Sequence, residues 1–168
     1  LTYCEKNTRE IQKRFAKSKN KFLTFWKIYY VWIPGSFTTT STSDVIPKPG
    51  LFSPIFNSAI IDKPGFVHSS RHKQTKREIK QEIKTRVIYE GIHAFWYKGV
   101  AEKELGKRYS PKLYYVLIPV RCHEKDFIAG GTLGDVVCSK IEITKHAWKK
   151  VKKAFVELAK WHNPAIKY

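Results

Sequence analysis

Three kinds of side chain in this sequence have the type and spacing to do chemistry: histidine and cysteine in pairs, a run of glycines, and lysine and arginine in clusters. His68 and His72 stand four residues apart, the spacing that puts two imidazoles on one face of a helix, and Cys122 adjoins His123. Neither pair sits in a paired Cys-x-x-Cys or a His-Glu-x-x-His arrangement, so no metal site is expected. Gly130-Gly131-Thr132-Leu133-Gly134 lacks the Lys that a phosphate-cradling loop needs after its glycines, and reads as a turn. No Gly-x-Ser-x-Gly elbow and no known cysteine signature marks a nucleophile. The residues alone therefore predict no catalytic group and no cofactor.

The cations carry the stronger signal. Among 168 residues there are 32 Lys and Arg against 14 Asp and Glu, a formal net charge of +18. The excess is +6 over residues 1–50, +7 over 51–112 and +5 over 113–168, so it belongs to the body of the chain and not to a detachable tail. Lys13, Arg14, Lys17, Lys19 and Lys21 gather near the end of a first helix. Arg71, Lys73, Lys76 and Arg77 open a central charged segment, and Lys149, Lys150, Lys152 and Lys153 lie on a last helix, with no acidic residue between Lys145 and Lys153. Charge this dense attracts polyanions at long range, and each phosphate it neutralises releases condensed counterions without any base-specific contact. At modest net charge such clusters would read as a solvated surface. At +18 self-repulsion is a real cost, which an anionic partner relieves. These residues are the candidate nucleic-acid-binding set. DNA, RNA and an acidic protein surface all fit them, and the partners expected are a nucleic acid or other polyanion and other proteins of a large assembly.

Composition bounds the class. Hydrophobic residues make up 42% and aromatics 14%, far above a charged disordered segment, so the chain is expected to fold and not to act as a simple polycation. The longest uncharged apolar stretches, around Ile28–Pro34 and Leu113–Val120, are well short of the roughly 20 residues that cross a bilayer, and no membrane span is expected. The first residues mix Glu5, Lys6 and Arg9 with polar groups and show no signal-peptide core. Cys4, Cys122 and Cys138 cannot all pair within the chain, so reduced thiols and an intracellular location are the expectation. Phe25, Trp26, Tyr29 and Tyr30 are candidates to stack on unpaired bases, but their density within one strand fits core packing better. The Lys/Arg-Gly-Phe signature of sheet-type RNA readers is absent.

The elements that must position these groups follow from periodicity. Thr2 and Glu5 have capping-box spacing ahead of a helix over about 3–18, with Tyr3, Ile11 and Phe15 near a helical period. Residues 22–32 are aromatic and β-branched and predict a buried strand. The Ser/Thr/Pro-rich stretch 34–50 is a loop, and 51–61 is extended but broken at Pro54. Residues 71–86 predict a solvated helix or arm, 87–96 a strand, 99–109 a short helix and 113–121 a strand. Residues 123–134 are a turn-rich connection and 135–144 another strand. Thr144 caps a final helix over 145–161, with Trp148, Val151, Phe155 and Leu158 in one stripe and lysines opposite. Strands in runs with helices at both ends, and no βαβ alternation, predict a single α+β domain with a mixed or antiparallel sheet flanked by basic N- and C-terminal helices. Within it, residues 1–21 are the basic first helix, 85–144 the sheet core and 145–161 the basic last helix.

The order Tyr89-Glu90-Gly91-Ile92-His93-Ala94-Phe95-Trp96, then the helix containing Ala101, then the strand from Tyr114 to Pro119 and the closing run Gly134 to Ile143, resembles small domains encoded by phages and large DNA viruses. Those domains are similar in turn to a reduced ADP-ribosyltransferase fold. The resemblance covers roughly residues 85–144. It implies a viral protein, with the virion as the alternative location, and an alternative function as a transferase with NAD as cofactor. In that alternative His93 grips the nicotinamide-side ribose and Glu142 orients the acceptor or stabilises the oxocarbenium-like transition state. No Ser-Thr-Ser strand stands in the family's place, because the Ser/Thr run 38–43 lies in a loop bounded by Pro and Gly.

Overall fold

Residues 22–32 are almost all aromatic or β-branched, side chains that pack well on a pleated surface and poorly around a helix. They form the central strand β1 (Phe22–Trp32). The computed structural model describes residues 1–32, 50–53, 57–69, 76–88, 91–107 and 115–162. In chain order the remaining elements are α1 (Glu5–Lys17), β2 (Gly50–Ser53), β3 (Asn57–Ile61), β4 (Gly65–His68), α2 (Lys76–Thr85), β5 (Ile92–Phe95), α3 (Lys98–Lys107), β6 (Tyr115–His123), a 3₁₀ turn (Glu124–Asp126), β7 (Phe127–Gly130), β8 (Asp135–Cys138), β9 (Lys140–Ile143) and α4 (Lys145–His162). The strands form one sheet in the order β4-β9-β6-β1-β5-β8-β7, with β2 added to β1 and β3 to β2. Every pairing is antiparallel. The fold is α+β, as expected, and the sheet is antiparallel.

Register decides which residues meet. The long β1–β6 ladder runs from Phe22 opposite His123 to Tyr30 opposite Tyr115, and directly opposed residues share a face. Leu23, Phe25 and Tyr29 therefore face the same way as Val120 and Cys122, and Ile141 and Ile143 join them because Glu142 opposes Arg121 on the other face. All of these belong to one apolar core, to which α1 adds Ile11 and Phe15 and α4 adds Trp148, Val151 and Phe155. Phe15 and Phe25 meet edge to face, with ring centroids 6.1 Å apart. Burying each such side chain contributes roughly 1.5–3 kcal/mol. Hence α1 and α4 are fixed by their apolar stripes, and their charged sides have nowhere to go but outward.

The second half of the sheet, β5-β8-β7, joins β1 through one register pair, Trp26 opposite Phe95. Phe127 of β7 nevertheless packs 6.3 Å from the Phe25 ring, and Cys138 of β8 lies in the same buried core as Cys122 of β6. The sheet thus curls round the core. Burial pushes the Cys138 thiol well above its ordinary range, and the neighbouring Cys122 pushes it further. A smaller cluster of Ile88, Ala129 and Val137, with Ile83 of α2 and Leu1 and Tyr3 against it, seals the β7–β8 end.

Several local expectations are corrected. The capping box at Thr2 and Glu5 does not form, because residues 1–3 are extended: the Tyr3 amide donates to the Arg86 carbonyl and Thr2 bridges Val87. Cys4 takes the N-cap position without a side-chain cap. The connection 123–134 contains β7, residues 65–68 form β4, and the expected strand 135–144 divides at Ser139 into β8, paired with β5 and β7, and β9, paired with β6 and β4. Gly91 is needed where it stands: its φ is +116°, and a Cβ there would lie 2.5 Å from the Val137 side chain. The Thr144 cap is formed, with the Ala147 amide donating to Thr144 Oγ1 at 3.1 Å. The Ser/Thr-rich loop, residues 34–49, lies outside the described residues. Among the described residues no helix is long and apolar enough to cross a membrane.

Candidate nucleic-acid interface

On α1, Thr8, Ile11 and Phe15 are buried, which turns Lys6, Arg9, Lys13 and Lys17 outward. With Glu5, Glu10 and Arg14 they make up the solvent-facing side of α1. Arg14 is positioned by more than charge, since its guanidinium lies 4.7 Å above the Trp96 ring and 5.8 Å from Tyr97, and those two rings stack 4.4 Å apart. Lys19 and Lys21 are exposed in the turn that leads into β1, where Lys21 adopts φ +60°. The exposed pair of Arg9 with Glu5, 2.6 Å apart, is worth little in water.

On α4, Ala147, Trp148, Val151, Ala154 and Phe155 are buried and Lys149, Lys150, Lys152 and Lys153 are all exposed. At about 100° per residue, Lys149, Lys150 and Lys153 fall within an arc of about 100°, with Lys152 about 60° to one side. This is one contiguous cationic helix face. Of the central cluster, Arg77 is exposed on α2 and Lys76 begins that helix, whereas Arg71 and Lys73 lie outside the described residues.

The sheet surface turned away from the core carries a third group of cations, which sequence reasoning missed. Phe22, Thr24 and Trp26 of β1 share that face with Arg121 and His123 of β6, and with Lys140 and Glu142 of β9. Phe66 and His68 of β4, opposite Glu142 and Lys140, complete it. Each large ring has a cation over its face. The Arg121 guanidinium lies 4.2 Å from the Phe22 ring, Lys140 lies 5.0 Å from Phe66, and Lys98 of α3 and Lys150 of α4 lie 5.1 and 5.9 Å from Trp26. Glu142 is held by Arg121 at 3.0 Å, and Asp126 lies 3.8 Å from Lys140. Of the four aromatics singled out in β1, Phe25 and Tyr29 are core and Trp26 is on the outward face; the Tyr30 side chain is outside the described set. Strand parity was the available signal: once Phe25 and Tyr29 are taken as core, Phe22 and Trp26 must point the other way.

The remaining candidates do not converge. His93 sits on β5 and Glu142 on β9, with β1 and β6 between them in the sheet, and Glu142 is engaged with Arg121. Among the described residues no group of three His, Cys, Asp or Glu is placed to hold a metal. His123 serves the 3₁₀ turn, accepting the Lys125 amide on Nδ1 at 3.1 Å, and Cys122 is buried. The glycine run forms a turn closed by Asp135, whose backbone carbonyl accepts from the Gly131 amide and whose Oδ1 accepts from the Leu133 amide. No protein-family model, curated protein or solved structure matches this chain.

Proposed function

We propose that this protein is a non-enzymatic basic protein that binds a polyanion, nucleic acid through its phosphates, as a component of a virus particle or another nucleoprotein assembly. The observation that carries this reading is the exposed lysine face of α4, seconded by the outward cations of α1. If every carboxylate in the chain were matched one to one, 18 of the 32 cations would still be without a partner. Such a surplus is costly on an isolated globule and favourable against a phosphate backbone. The ratio of absorbance at 260 and 280 nm tests the reading. Protein prepared without nuclease at low salt is expected to carry nucleic acid, and a high-salt wash is expected to lower the ratio to that of protein alone. A protein-only ratio before the wash contradicts it.

A further inference from the structure

We propose that the outward face of β4-β9-β6-β1 binds an unpaired nucleic-acid strand, with bases on Phe22, Trp26 and Phe66 and phosphates on the cations beside those rings. This rests on the polyanion reading and names the form of nucleic acid that this face takes. The Phe66 ring is 59% exposed and Phe22 is half-buried, while Trp26 is half-buried where α3 packs against β1 and β6, next to the buried Ile28 of the same face. At the ordinary strand spacing, Phe66 lies about 14 Å across the sheet from Thr24, and Phe22 and Trp26 flank Thr24 about 7 Å to either side. Rings that far apart do not stack on one another, and a base reaches each one by displacing the cation that lies over it, which then meets the phosphate of that base.

Charge chooses the occupant. Arg121, Lys98, Lys150 and Lys140 stand within 6 Å of the three rings, so a base laid on any of them brings its phosphate to a cation. Interleaved aromatic and cationic groups are what binds single strands without sequence preference. A duplex keeps its base faces stacked internally and offers nothing to these rings, whereas its phosphates suit the lysine face of α4 equally well. The two surfaces share Lys150 but differ in what they select: α4 accepts any polyanion and the sheet face discriminates for unpaired bases.

The test compares a labelled single-stranded oligonucleotide, the same sequence as a duplex, and a sulfated polysaccharide, by anisotropy at 50 mM salt, on wild type, Phe66→Ala and Glu142→Gln. Phe66 is exposed enough for its removal to spare the fold, which circular dichroism checks. Phe66→Ala is expected to weaken single-strand binding by at least about fivefold and to leave duplex and polysaccharide binding unchanged. Glu142→Gln removes a carboxylate from the face and is expected to tighten single-strand binding about twofold or more, which keeps the test intact should Phe66→Ala misfold. Equal responses of all three ligands to both variants overturn this inference and leave the polyanion reading standing. Failure to bind any of the three overturns both. A wild-type dimer in sedimentation that Phe66→Ala dissociates also overturns it, because the face would then be a contact between copies of this chain.

Discussion

Replacing Lys149, Lys150, Lys152 and Lys153 together by Gln removes the cationic face of α4 and the Lys150 contact with Trp26 while leaving its apolar stripe in place. Their four side chains are exposed, whereas Trp148, Val151 and Phe155 between them stay in the core. Gln and Lys have nearly equal helix propensity, and the change also removes like-charge neighbours three and four residues apart, so the melting temperature is expected to hold or rise. Three of the four lie within an arc that one phosphate backbone can follow. Each neutralised phosphate contributes about 0.9 to the slope of log affinity against log salt on duplex, so losing three lowers the slope by about 2.7. Raising salt from 50 to 200 mM would then cost the variant about 40-fold less affinity for duplex than it costs the wild type, and about 20-fold less on a single strand, where each contact counts about 0.7. Anisotropy titrations across that range read both slopes. A control pair on α3, Lys103→Gln with Lys107→Gln, is expected to change the slope by less than about one. A folded quadruple variant with the wild-type slope would refute α4 as a phosphate contact.

Other consequences follow from the fold. Thr144→Ala removes the cap that receives the Ala147 amide and is expected to cost about 1 kcal/mol, lowering the melting temperature by about 2–4 °C; an unchanged value contradicts the capping role. The Tyr29 hydroxyl is buried without a hydrogen-bond partner, so Tyr29→Phe is expected to stabilise the protein by up to about 1 kcal/mol in denaturant titration, and a clear loss of stability would mean the hydroxyl is satisfied. Burial raises both the Cys138 thiol and the Tyr29 phenol, so each stays protonated in the fold and ionises only on unfolding. Above about pH 8.5 for the thiol and about pH 10 for the phenol, the unfolded chain binds fewer protons than the folded one, and stability falls by up to about 1.4 kcal/mol per pH unit for each group. Stability measured between pH 8 and 11 is expected to decline less steeply in Cys138→Ala than in the wild type, and parallel declines would contradict a buried, protonated thiol.

Elements with a long, unbroken signal were legible in the sequence. The aromatic and β-branched run of β1 and the Thr144 cap with the Trp148, Val151 and Phe155 stripe of α4 are local patterns, and both strand and helix stand where those patterns put them. The start of α1 was misread because Thr2 and Glu5 have a capping spacing that tertiary bridges to Val87 and Gly131 override. The division of residues 135–144 left no trace in the sequence, where Val137, Ile141 and Ile143 share one parity; β8 is buried on both faces, with Val136 and Cys138 in the main core and Val137 in the smaller cluster. Short strands such as β4 and β7 carry four residues each and gain their identity from partners remote in sequence, which no local pattern reveals. The same holds for the site. The cationic faces of α1 and α4 follow from helical periodicity, whereas the gathering of Phe22, Trp26 and Phe66 with Arg121 and Lys140 depends on the register of four strands.

The affinity of the wild-type protein for a labelled duplex at 50 and at 200 mM salt tests most directly whether its outward cations serve a polyanion. With six or more phosphates engaged, affinity is expected to fall by about a thousandfold or more over that interval. The same affinity at both concentrations would contradict the account.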